Sequence, residues 1–277
     1  MHICNPHHMP HITARSGIGV VGVVLQQQEL EFKRLFIEKP LLICVIQGIK
    51  SVRWAGGEFL LRAGEVIAVA GGQSLDITNR LAADGCYRAC WLVPDDSLIA
   101  AQSNARPELP VIRQAQPLQV AGDAFMQAME RAMSAITEEQ LPAAIARHHM
   151  HELLLWLEAN GGRFEQVAAL TMAIKVRRLI GQDLSREWNA ATVASAFAMS
   201  EATLRRKLAE EGTTMSALLV DARMSFALQL LQSTTQPVVQ IALSVGYQTP
   251  SQFAVRFRDR FGFPPTAIRG HRHGFSD

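Results

Sequence analysis

From residue 191 the chain reads ATVASAFAMSEATLRRKLAEEG, and from residue 237 it reads PVVQIALSVGYQTPSQFAVRFRDRFG. Laid one on the other, the two stretches repeat a single pattern. In the first, Ala194 is followed four residues later by Ala198, then by Ser200, Leu204 and Leu208; in the second, Ala242 is followed by Gly246, then by Thr249, Phe253 and Phe257. Each copy predicts a short helix, a tight turn, and a second helix opened by a Ser or Thr whose hydroxyl caps free N–H groups of the first turn. Apolar residues four and eight positions past the cap share one face and turn to the core. The small alanines let two helices cross closely. Gly246 supplies a turn, and Pro250 takes the first helical position, where its missing N–H removes no bond. Either copy alone would suit any small helical bundle. Two copies joined by one apolar helical segment, residues 216–232, predict a pair of helix-turn-helix motifs. That segment would extend about 25 Å, enough to hold two second helices near one DNA turn, about 34 Å, apart.

The charge distribution agrees. Residues 176–277 hold 12 Lys/Arg against 8 Asp/Glu, a surplus of 4, and the first 175 residues hold 15 against 17. A basic C-terminal third on a neutral remainder fits a nucleic-acid module attached to something else. At 277 residues the chain suits two domains. With 48% apolar and 19% charged residues, it can bury real cores and is not a disordered scaffold. The longest apolar run, residues 41–46, is too short to span a bilayer, so no membrane partner is expected. The opening MHICNPHHMPH lacks the basic start and apolar stretch of a leader, and four cysteines without framework spacing suggest reduced thiols in a cytoplasm. Cys86 and Cys90 stand just before and within a strand-like run, YRACWLV, where a four-residue offset separates side chains by about 13 Å, too far to share one ion.

Residues 41–93 form short apolar segments, LLICVIQ, KSVRW, EFLLRA, EVIAVA, SLDITNR and YRACWLV, broken at Gly48, Gly56-Gly57, Gly64, Gly71-Gly72 and Gly85. This spacing predicts a small antiparallel sandwich or barrel, closed by a polar stretch over residues 94–117. Helical pattern follows at residues 122–135, with Phe125, Met129 and Met133 in line. A second helix is expected at residues 141–159, with Ile145, His149, Leu153 and Trp156/Leu157 as its stripe. Gly161-Gly162 ends it, and residues 163–175 are expected to be a hinge, with a partly helical segment as the alternative. The fold class is therefore α+β: a β domain with helices over residues 1–163, and an all-α domain over residues 164–277.

The region of residues 190–271 resembles the DNA-binding domain of the AraC/XylS family of bacterial transcription regulators. ATVASAFAMSEATLRRKLAEEG (191–212) looks like its first helix-turn-helix, MSALLVDARMSFALQLLQ (215–232) like its linker helix, and PVVQIALSVGYQTPSQFAVRFRDRFGFPPTAIR (237–269) like its second motif and signature. SREWNAATVASAFAMSEATLRRKL looks closest to the branch containing enterobacterial acid-resistance and virulence regulators. The resemblance implies a cupin-like N-terminal β-barrel that binds a small effector or mediates dimerisation. It also implies promoter DNA and RNA polymerase as partners, and activation rather than repression. Some relatives in that branch sense fatty acids with a lysine near the end of the linker helix; the matching region here carries Gln229 and Gln232.

A recognition helix presents its first turns to base edges, while flanking basic residues meet phosphates. After Ser200 the outward positions are Glu201, Ala202, Arg205 and Arg206, to which the family's base-reading positions also map. Arg205 and Arg206 are thus the candidates for guanine O6 and N7, and Lys207 for the backbone. In the second motif Thr249 is the cap, and Pro250, Ser251, Ala254 and Val255 are outward with Gln252 close by. Arg256, Arg258 and Arg260 suit phosphates, whose attraction carries no sequence information.

An enzyme is not expected. Catalytic metal in a barrel needs histidines projecting from strands, and residues 41–92 contain none of the nine. No nucleophile–base arrangement or phosphate-binding glycine loop stands out. Cys4, His7, His8 and His11 could wrap a zinc ion, but a polar terminus is the simpler reading, so no cofactor or metal is expected. For an anionic effector, Lys33, Arg34, Lys39, Lys50 and Arg53 are the candidate anchors, with solvated surface charge as the alternative. A homodimer through residues 141–159 is expected from the apolar stripe, with burial against the β domain as the alternative.

Overall fold

The computed structural model describes residues 12–54, 56–119, 122–165 and 171–269. The chain divides into two compact units, Met1–Ala168 with Gln232–Thr234, and Ala169–Leu231 with Thr235–Asp277. In the first unit, strands β1 (Ile12–Arg15), β2 (Gly19–Gln26), β3 (Leu30–Ile37), β4 (Leu41–Gln47), β5 (Ile49–Trp54), β6 (Gly57–Arg62), β7 (Val66–Val69), β8 (Gln73–Arg80), β9 (Tyr87–Pro94) and β10 (Ala115–Pro117) build two sheets. Their orders are β1-β2-β9-β4-β7-β10 and β3-β8-β5-β6, with every pairing antiparallel.

The sheet begins at residue 12, earlier than the glycine punctuation suggests, and two features hid it. Gly22 lies inside β2 rather than at a turn, because Trp91 opposite it on β9 fills the space of a side chain: a Cβ there would stand 2.2 Å from the indole. In β3 the alternation breaks at a bulge between Phe32 and Leu35, where Arg34 takes φ 50° and donates its N–H to Asp76 Oδ1 at 2.8 Å. The polar stretch of residues 94–117 contains α1 (Asp96–Ala105) as well as β10. Asp95 caps α1 by accepting from Ser97 N at 2.9 Å.

One face of the larger sheet lies under α2 (Asp123–Thr137) and α3 (Ala143–Ala159): Val21, Val23, Leu42, Cys44, Cys90 and Leu92 cluster with Phe125, Met129, Met150, Leu153 and Leu157. Each such side chain contributes about 1.5–3 kcal/mol when withdrawn from water. The stripe of α3 is rotated from the expected one. Ala146, Met150, Leu153, Leu154 and Leu157 are buried, whereas Ile145 and Leu155 are each 46% exposed. Small residues set this rotation: Ala128, Ala132 and Ala135 of α2 join Ala146 in the core, which admits close helix approach. Phe125 meets Trp156 edge-on at 5.8 Å. The expected self-association stripe is therefore largely occupied within the chain itself.

The other face of the larger sheet meets the smaller one. Asn79 Nδ2 on β8 donates to Gln26 Oε1 on β2 at 3.0 Å, and Lys50 Nζ on β5 donates to Asn79 Oδ1 at 2.7 Å. Lys50 also lies 5.4 Å from the ring centroid of Tyr87 on β9. Cys44 and Cys90 are direct register partners on β4 and β9, a pairing that a separation of 46 positions conceals in the sequence. The neighbouring Cys44 thiol and burial together push the Cys90 thiol well up.

The second unit is helical: α4 (Met172–Gly181), α5 (Ala190–Ala196), α6 (Glu201–Glu210), α7 (Met215–Ser233), α8 (Val238–Ser244) and α9 (Pro250–Phe261), closed by a 3-10 turn, Pro265–Arg269. The expected hinge thus includes the start of α4, capped by Thr171. Val176, Ile180, Val193, Ala194, Leu204, Leu208 and Leu218 form one core cluster. Phe253, Phe257, Phe261 and Phe263 form an aromatic chain, with neighbouring centroids 4.7 to 6.3 Å apart.

Candidate DNA-binding surface

The two helix pairs are built alike from their caps inward. Asn189 Oδ1 accepts from Thr192 N at 2.8 Å to open α5, and Ser200 Oγ accepts from Thr203 N at 3.2 Å to open α6. Between them Met199 N donates to Ala194 O at 3.0 Å. In the second copy Tyr247 N donates to Ala242 O at the same 3.0 Å, and Thr249 Oγ1 accepts from Gln252 N at 3.3 Å to open α9. The turn residues Ala198 and Gly246 match, but the second cap comes one residue later. α9 ends on Gly262, left-handed at φ 87°, whose N–H donates to Arg258 O at 2.7 Å.

Leu204 and Leu208 are buried, which turns Glu201, Ala202, Arg205 and Arg206 outward, all of them exposed. Lys207 lies half-buried beside the core face. Arg206 pairs with Glu210 at 2.9 Å one turn on. Both partners are largely solvated, so the pair is worth little and can open when a stronger acceptor arrives. Phe253 and Phe257 hold α9 in the same way, exposing Ser251, Gln252, Val255, Arg256 and Arg258 and leaving Ala254 half-exposed. The hydroxyls of Ser200 and Thr249 already serve as caps.

Arg260, expected on a phosphate, is instead a structural residue. Its side chain is 14% exposed, and Nε donates to Asp221 Oδ1 on α7 at 2.6 Å. It sits one helical turn beyond Arg256 on the half-buried flank of α9, not on the face shared by Ser251 and Val255.

Asp221 and Arg223 were not legible as functional, although a signal exists: they are the two charged residues in the otherwise uncharged MSALLVDARMSFALQLLQS of α7. Asp221 Oδ2 also accepts from Arg177 Nη2 of α4. Arg223 donates to the carbonyls of Leu184 and Arg186, both at 3.1 Å, and lies 5.7 Å from the Tyr247 ring centroid. Partial burial lowers the Arg223 pKa from its ordinary value and raises that of Tyr247.

The five candidate effector anchors do not converge. Lys33 and Arg34 sit on the exposed bulge, and Arg53 pairs on the outer surface with Glu31 at 3.1 Å and Asp76 at 3.2 Å. Lys39 pairs with Asp96 at 3.1 Å. Lys50 alone of the five is buried, at 6% exposure, and desolvation lowers its pKa to about 7. Beside it the Tyr87 hydroxyl is buried without a hydrogen-bond partner. Among the described residues no group of three or more His, Cys, Asp or Glu is gathered for a metal ion, and Cys4, His7, His8 and His11 lie outside them. Nor is any described helix long and apolar enough to cross a membrane.

Residues 193–271 match the model of a helix-turn-helix domain family. Over 104 residues the chain is 39% identical to the transcriptional regulator SirC of Salmonella typhimurium (strain SL1344), covering 38% of this chain and 35% of that protein. Over 95 residues it is 39% identical to the regulator GadX of Escherichia coli O6:H1, covering 34% of this chain and 35% of that protein. These matches span about a third of the length of either relative. Across 94% of this chain and 99% of the other, the fold is that of ToxT from Vibrio cholerae, solved with an unsaturated fatty acid bound, at a TM-score of 0.66 and 14% identity.

Proposed function

We propose that this chain, whose C-terminal domain is an AraC-type helix-turn-helix domain, is a sequence-specific transcription regulator that fills two successive major grooves of promoter DNA with α6 and α9. The observation that carries the reading is the matched pair of capped helices, α6 pinned by Leu204 and Leu208 and α9 by Phe253, Phe257 and Phe261, each with its opposite face open to solvent. The joining helix α7, 19 residues long, measures about 28 Å, compatible with recognition helices one DNA turn, about 34 Å, apart. In this reading Arg205 and Arg206 contact base edges, Ser251, Gln252 and Val255 read the second groove, and Lys207, Arg256 and Arg258 meet phosphates.

The β-rich unit, over residues 1–163, then serves as the control domain, with the DNA-binding domain over residues 164–277. A small anionic effector would be drawn to Lys50, which lies buried between the sheets with its ammonium on the amide oxygen of Asn79. Homodimerisation, recruitment of RNA polymerase and activation are the remaining parts of the proposal, carried by the family likeness. Binding selection from a randomised DNA library tests the core of it. Enrichment of a two-part site is expected; uniform recovery of sequences with a steep salt slope would instead mark a low-specificity architectural protein.

A further inference from the structure

The one carboxylate on α7 is shared by an arginine of α4, which packs in one core with the first motif, and an arginine of α9 in the second. Asp221 Oδ1 takes the Arg260 Nε of α9 at 2.6 Å, and Oδ2 takes Arg177 of α4. The three side chains are 19%, 14% and 9% exposed. Two positions on, Arg223 holds the carbonyls of Leu184 and Arg186, which lead into the first motif, and packs against Tyr247 in the turn of the second. Gly246 completes the contact: a Cβ there would stand 2.5 Å from Arg223 Nη2 and 2.6 Å from Leu184 O. An apolar seam alone would let one helix slide on another at modest cost, because dispersion contacts are small and non-directional. Hydrogen-bonded ion pairs are directional and lose strength within a few tenths of an ångström. Moving α9 away would also part the largely buried Arg260 guanidinium from Asp221.

We propose that Asp221 is a positioning residue which fixes α9 against the first motif and thereby makes this domain selective for the base-pair spacing between its two half-sites. The proposal rests on the two-groove reading above. One inserted base pair moves the second half-site by about 3.4 Å and about 35° around the duplex. A rigid domain cannot follow that displacement, whereas a loosened one can.

The test is a binding series on the full-length chain. The probes are duplexes with the selected two-part site at its native spacing, at one base pair more and one fewer, and with the second half scrambled. Wild type is expected to lose about tenfold or more in affinity on either spacing change, as for a mismatched contact. Arg260→Gln frees α9 but keeps Arg177 on Asp221, and should flatten that loss to about threefold or less while leaving binding to the scrambled-half duplex unchanged. Arg177→Gln, which loosens the other arm, should do the same, and Asp221→Glu should restore part of the discrimination that Asp221→Asn removes. Thermal unfolding of each variant establishes that it is folded, and the two single-arm arginine variants carry the test if Asp221→Asn is not. A spacing profile as sharp in both arginine variants as in wild type overturns the inference and leaves the two-groove reading intact. Equal loss on every duplex, scrambled half included, overturns it too, since that is what a merely structural bridge would give. A wild-type chain indifferent to spacing overturns both.

Discussion

Ala198 and Gly246 hold the same place in the two turns, and both have left-handed backbones, at φ 51° and 81°. One is an L-residue carrying strain of about 1–2 kcal/mol, and the other is a glycine with no room for anything larger. The two motifs solve one geometric problem in different ways.

Substitution at these positions should therefore have opposite signs. Gly246→Ala places a methyl group 2.6 Å from a backbone carbonyl in a left-handed conformation, and should destabilise the helical domain by about 2 kcal/mol or more. Ala198→Gly relieves strain at the expense of chain entropy, and should be neutral to stabilising by up to about 1 kcal/mol. Urea denaturation followed by circular dichroism at the helix band decides both. Equal destabilisation by the two changes would mean that Ala198 carries no such strain.

At the DNA surface, Arg205→Ala or Arg206→Ala should relax base preference in one half-site, because each bidentate guanine contact is worth about 1–3 kcal/mol of discrimination. Arg258→Ala should weaken binding to all sequences alike and flatten the salt slope by about one unit. The second half-site, read by Ser251, Gln252 and Val255, should be looser and richer in A·T. Library selection on wild type and variants gives the information content of each half. A sequence-selective defect from Arg258→Ala would reassign that residue to base contact.

Lys50 gives the β-rich unit a pH dependence. Burial lowers its pKa from 10.5 to about 7, so between those values the unfolded chain holds a proton that the folded chain releases. Stability contributed by this group should rise with pH across that window, by on the order of 2–4 kcal/mol, and should be level below about 7. Lys50→Met should flatten the rise and raise the unfolding temperature at neutral pH, with part of the gain offset by the unpaired Asn79 oxygen. Calorimetry over the pH range checks this. A wild-type unfolding temperature that falls as the pH is raised from 7 would contradict it.

Self-association, where it occurs through α3, must use the face carrying Ile145 and Leu155. Leu153 is fully buried in its own unit, and Leu153→Ala should cost about 2–5 kcal/mol of stability whatever the oligomeric state. Ile145→Glu with Leu155→Glu should give a folded monomer by sedimentation. A persisting dimer would move the interface elsewhere.

The helical domain was legible almost residue by residue because its signals are local: a cap, a small residue at the crossing, an apolar pair four apart. Ser200 with Leu204 and Leu208 fixes α6, and Thr249 with Phe253 and Phe257 fixes α9, without reference to anything distant. The β-rich unit was legible in class but not in extent, since Gly22 reads as a break until its partner Trp91 is known. The outward faces of α6 and α9 could be assigned from spacing. The place of Arg260 could not, because its partner Asp221 lies 39 positions earlier in the chain. The grouping of Lys33, Arg34, Lys39, Lys50 and Arg53 failed for a related reason: alternation sends Lys50 and Arg53, three apart on β5, to opposite faces, and which face is inner depends on strand pairing that is not local.

The extra residue before Thr249 bears on any attempt to re-target this protein. Transplanting the arginine pair of α6 into α9 by counting from the turn, seven residues past Ala198 and seven past Gly246, would put the first arginine at Phe253, which is fully buried, and the chimera would misfold. Counted from the caps, the pair falls at Ala254 and Val255, where side chains already reach solvent. Ala254→Arg with Val255→Arg is thus the grafting register in which a second guanine-reading helix could be installed. The hydroxyl cap is the origin of the coordinate system for such designs.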